Sequence, residues 1–240
     1  MVEQRESWRG VTKALSEGEI CWGFVRGHDS LEWMIELTLV RADGSVRSVR
    51  VPDRWHGNFG GSVLVVTPEE SHAVLYVYSG QSEAECMVFR LVPELEFRVA
   101  LPVDYEPVCS PDARYVAGLA DGRGFAIDDP DREWWDPPEG AKPVFELGRL
   151  EIFELTTGAH QSHLLRLVFR REQLTELTGV DGDLEQWAYD NLFQPELELG
   201  RDGRGAVVTG LDRFMFTVPE PGATSMIFPV WVYGTTRPAG

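Results

Sequence analysis

Two short stretches place an imidazole next to a carboxylate. "RGHDS" (26–30) carries His28 and Asp29, and "DRWHGN" (53–58) carries Asp53 and His56. If both opened on one rim, these four side chains could do acid–base chemistry or hold a metal. Nothing in their spacing makes them meet, and solvated loop polarity is the plainer reading. "HQSH" sets His160 and His163 three apart, a spacing that suits a metal on a helix. Here it follows Thr-Gly in a hairpin, so both are expected as exposed turn histidines. "DDPD" (128–131) and "DGD" (181–183) have carboxylates spaced for a hard cation, but not the alternating acids, central Gly and terminal Glu of a calcium loop. They read as a solvated acidic loop and a helix cap. No metal site and no cofactor is expected.

Several motifs are missing from the sequence. It has no P-loop, no GxGxxG after a strand, no HExxH, no paired CxxC and no GxSxG. Ser62 in "GGSVL" lies beside glycines without a strand–turn–helix elbow, and reads as a strand entry. Cys21, Cys86 and Cys109 are odd in number and far apart, so each is expected as a small apolar group in or beside a strand.

Composition narrows the partners. The net charge of −17 over 240 residues disfavours nucleic acid and anionic membranes, both polyanions, and suits solubility or a cationic partner. The first residues lack the apolar run of a signal peptide, and no stretch approaches a membrane span. A cytoplasmic protein is the expectation.

The elements that must position any site are mostly strands. "WMIELTLV", "SVRSVRVP", "GSVLVVTP", "HAVLYVYSG", "ECMVFRLV", "EFRVALP", "ARYVAGLA" and "GRLEIFEL" are short apolar or alternating runs. Gly, Pro, Asp and Ser separate them, the pattern of a mainly β protein. Asp43-Gly44 is a strong hairpin turn signal. The alternation of Val46, Val49 and Val51 slips once, which predicts a bulge near Ser48. "VLVV" and "AVLYV" are continuously apolar and should be covered on both faces. Helical spacing of Trp8, Val11 and Leu15 predicts a short N-terminal helix over 3–16. A second helical segment is expected near 171–193, with Leu184, Trp187 and Leu192 facing inward.

An internal echo runs through the middle of the chain. "VTPEESHAV" (66–74) aligns with "CSPDARYVA" (109–117) at an offset of 43 residues. Thr67 falls on Ser110, Pro68 on Pro111, Glu69 on Asp112 and His72 on Tyr115. A weaker copy, "GRDGRGAVV" (200–208), follows when Asp202 is set on Asp112. The hairpins "MIELTLVRADGSVRSVRVP", "MVFRLVPELEFRVALP" and "LEIFELTTGAHQSHLL" also echo one another. A period near 45 residues is that of a propeller blade.

On Thr67, Pro68, Ser110, Pro111, Asp112, Arg114 and Tyr115, the chain resembles WD-repeat and Tol-Pal-type β-propellers over about residues 30–165. The resemblance is poorer over about 196–233, and no Trp-Asp dipeptide closes a blade. It implies an irregular or small propeller-like domain, with 1–240 as a single domain. A propeller needs 4–8 blades and only three copies can be indexed, so an irregular β-rich domain or sandwich stays open.

One insertion interrupts the series: "RGFAIDDPDREWWDPPEGAKPVFE" (123–146). It carries Asp128, Asp129, Asp131, Glu133, Asp136 and Glu139 against Arg132 and Lys142, with Trp134 and Trp135 at its centre. Long insertions are more often functional than short connectors. The expectation is a protein-binding module on a rigid β scaffold. Asp128, Asp129, Asp131, Glu133, Trp134, Trp135 and Asp136 would engage a cationic protein partner, an inhibitor or immunity-type role being one form. The alternatives are a hydrolase-like enzyme using His28, Asp29, Asp53 and His56 at a propeller mouth, and a structural accessory subunit.

Overall fold

The computed structural model describes residues 7–26, 33–55, 60–78, 84–120, 124–126, 144–169, 184–192, 195–219 and 225–229. The protein is mainly β, with four sheets and one helix among these residues. Two compact units divide the chain: Met1–Cys109 with Leu155–Gly158, and Ser110–Glu154 with Ala159–Gly240.

The first unit holds two four-stranded antiparallel meanders. One is β1 (Ser7–Leu15), β2 (Gly18–Arg26), β3 (Trp33–Arg41) and β4 (Val46–Trp55). The other is β5 (Gly61–Val66), β6 (His72–Tyr78), β7 (Ala84–Arg90) and β8 (Glu96–Pro102). Short β9 (Val108–Cys109) ends the unit's first stretch. Alternation decides which face turns inward. In β3, Ile35, Leu37 and Leu39 are buried, while Glu36 and Thr38 bond across the outer face to Arg50 and Ser48, both at 2.8 Å. Ile20, Trp22, Phe24, Ile35, Leu37 and Val51 of the first sheet join Leu64, Leu75, Val77, Met87 and Phe89 of the second in one core. Each large side chain so buried stabilises the fold by about 1.5–3 kcal/mol. β6 is covered on both faces, as its sequence suggests: Ala73 to Tyr76 and Val77 are all buried. Within Val63–Val66, only Leu64 is fully buried.

Asp43-Gly44 makes the expected hairpin turn between β3 and β4, with Gly44 at φ +81°. Two local expectations are corrected. Residues 7–15 form strand β1 paired with β2, not a helix. The register slips between Arg9 and Thr12. Such a bulge breaks two-residue alternation and spaces apolar residues at intervals that imitate a helical period. Gly10 and the β-branched pair Val11-Thr12 also weaken a helix. The bulge in β4 is not near Ser48, which pairs regularly with Thr38. It lies between Arg50 and Arg54, opposite the step from Glu36 to Met34.

The second unit is built on β10 (Tyr115–Ala120), β12 (Val144–Glu154), β13 (His160–Val168) and β17 (Ser225–Pro229), paired in that order, with β11 (Gly124–Ala126) also on β12. β17 runs parallel to β13, while the other ladders are antiparallel. A smaller meander joins β14 (Glu196–Leu199), β15 (Arg204–Val208) and β16 (Arg213–Thr217). Helix α1 (Leu184–Leu192) falls in the expected helical stretch, and residues 170–183 lie outside the described residues. Trp187 meets Phe169 edge to face at 5.9 Å, and Leu192 is buried.

The two aligned turns share one geometry. Thr67 N–H donates to His72 O and Glu70 N–H to Thr67 O; Ser110 N–H donates to Tyr115 O and Ala113 N–H to Ser110 O. Glu70 and Ala113, 43 residues apart, both adopt φ near +50° (53° and 52°). In each turn a buried hydroxyl accepts from the backbone of the entering strand. Thr67 Oγ1 takes His72 N–H at 3.1 Å, and Ser110 Oγ takes Tyr115 N–H at 2.9 Å and Arg114 N–H at 3.1 Å. The stretch 200–204 is different. Gly200 N–H reaches Arg204 O around a shorter 3₁₀ turn, and Asp202 N–H donates to Asp112 Oδ2. Asp202 therefore contacts Asp112 instead of occupying an equivalent place.

Removing the buried acceptor leaves two amides of the Ser110 turn without it. Ser110→Ala should cost about 1–3 kcal/mol, and Ser110→Thr, which installs the residue found at position 67, should recover most of that. Chemical denaturation of both variants measures the difference.

Candidate functional site

His28, Asp29 and His56 lie outside the described residues, as do Asp128, Asp129, Asp131, Glu133, Trp134, Trp135 and Asp136, and the acids at 181–183. Asp53 lies within strand β4. Of these sets the structure describes only the backbone position of Asp53.

It does place the ends of the acidic insertion. Gly124 pairs with Glu146, Phe125 with Phe145 and Ala126 with Val144, in an antiparallel ladder. Positions 124–126 and 144–146 are therefore sheet, and the described ladder ends at Ala126 and its direct partner, Val144. Phe145 is buried beside this ladder end, and Glu146 accepts from Arg166 Nε and Nη2 on β13 at 3.1 and 3.0 Å.

The same hairpin carries a polar cluster that sequence reading missed. Glu151 on β12 is buried, with 3% of its surface exposed. Its Oε2 lies 2.7 Å from His160 Nε2, and its Oε1 accepts from Ser162 Oγ at 2.6 Å. The register of β12 and β13 produces this contact, since Glu151 pairs with Ser162 and Phe153 with His160. His160 and His163 are thus strand residues, not turn residues. His160 is exposed, but His163 is buried on the opposite side of β13, with Nε2 3.1 Å from Gln161 Oε1. The signal was present in "LEIFELTTGAHQSHLL": folding it about Thr156-Thr157-Gly158 sets Glu151 opposite Ser162.

Burial alone would raise the Glu151 carboxyl, but the donors from His160 and Ser162 outweigh it and hold the group below its ordinary value. Ser162 and His160 both bind the carboxylate and not each other. A nucleophile relay needs the imidazole between the hydroxyl and the acid, so this arrangement clamps two strands together. The Cys86 and Cys109 thiols are equally quiet. Burial pushes the Cys86 thiol far up and that of Cys109 up to about 11, so neither is a thiolate near neutral pH. Among the described residues, no group of three His, Cys, Asp or Glu is placed to hold a metal ion.

No protein-family model matches this chain, and no curated protein matches it.

The Glu151 clamp has a pH signature. Its folded pKa lies below its ordinary value of 4.5, so the unfolded state takes up protons first as pH falls. The stabilisation is complete above about pH 4.5 and is lost as pH drops through the depressed folded value. Glu151→Gln should destabilise the protein by about 1.5–3 kcal/mol at neutral pH. Denaturation from pH 7 to pH 3 should show that gap closing with acid.

Proposed function

We propose that this protein is a binding module in which a β scaffold of propeller type presents the segment 127–143 to a cationic protein partner. The observation that carries the reading is the pairing of Ala126 with Val144. It holds both ends of 127–143 at directly paired positions of one sheet. Asp128, Asp129, Asp131, Glu133 and Asp136 supply negative charge that speeds encounter with a basic surface and selects for it. Trp134 and Trp135 supply the large apolar contacts that dominate interface energies. The chain's net charge of −17 acts in the same direction.

Two neighbouring four-stranded meanders and the shared turn geometry at Thr67 and Ser110 support the propeller-type reading of the scaffold. The concrete form that fits is an inhibitor or immunity-type protein against a basic enzyme. A cytoplasmic setting agrees with three free cysteines. Among the described residues, no helix is long and apolar enough to cross a membrane.

The test is the double variant Trp134→Ala with Trp135→Ala. Its melt should stay within about 1 kcal/mol of the parent, because exposed anchors contribute little to folding. Affinity for a basic partner captured by the parent protein should fall by more than about 2 kcal/mol. A melt lowered by the 3–5 kcal/mol typical of a truncated core Trp (about that range) would place the pair in the core and count against the reading.

A further inference from the structure

We draw no further inference here: the strongest candidate, the side-chain cluster of His72, Arg90, Glu96 and Arg98 across one end of β6, β7 and β8, pairs both of its guanidiniums with the one Glu96 carboxylate, and no observation among the described residues points to a ligand for it.

Discussion

A hydroxyl buried at the entrance of an all-apolar strand is the constraint on which the architecture depends. β6 and β10 are both covered on two faces, and each begins at such a turn: Thr67 before His72, and Ser110 before Tyr115. A strand of that kind has no polar face to reveal its register, so its register must be set at the ends. The turn does this by closing a backbone ring and meeting the first strand amide with a side-chain oxygen. Thr67 and Ser110 are each only 2% exposed, so water does not substitute for that bond. Once the first residue is set, each later residue of the strand pairs in turn: His72 with Arg90 through Tyr78 with Ala84, and Tyr115 with Glu154 through Ala120 with Arg149.

The rest of each unit follows from these central strands. In the first unit, consecutive strands fold back on their neighbours, and the two meanders close a shared core around Trp22, Leu75 and Phe89. In the second, the ladder carried from β10 to β12 continues to β13, where Glu151 clamps His160 and Ser162. Beyond the reach of β10, β12 still holds β11, and that short ladder fixes both ends of the acidic segment. The Glu151 contact and the ladder that ends at Val144 thus lie on one strand, β12, on either side of a register slip between Glu146 and Gly148.

Features set by local rules were legible in the sequence. Asp43-Gly44 announced its turn because both positions tolerate positive φ, and the 43-residue echo marked two turns whose hydrogen bonds coincide. The helix at Leu184–Leu192 showed in its cap and apolar spacing. What was hidden depends on partners. β1 has helix-like apolar spacing because a bulge mixes the periods, and only pairing with β2 decides the matter. The valine alternation in β4 points to a bulge near Ser48 only when Val46, 62% exposed, counts with the core valines. Glu151 appeared as an ordinary strand carboxylate until the hairpin was folded and its two donors met it. Of the candidate site, the anchoring of 127–143 emerged only with the β11–β12 pairing, since three residues are too few to signal a strand.

The central claim is that the buried turns at Thr67 and Ser110 each set the central strand of their own unit. Residue-resolved amide hydrogen exchange under native conditions tests it most directly. The account predicts that the His72 and Tyr115 amides exchange as slowly as those in the middle of β6 and β10, opening only with the whole unit. Exchange at those two amides that is orders of magnitude faster than at Leu75 and Ala117 would show that the turns open locally while the strands stay closed, and would contradict the account.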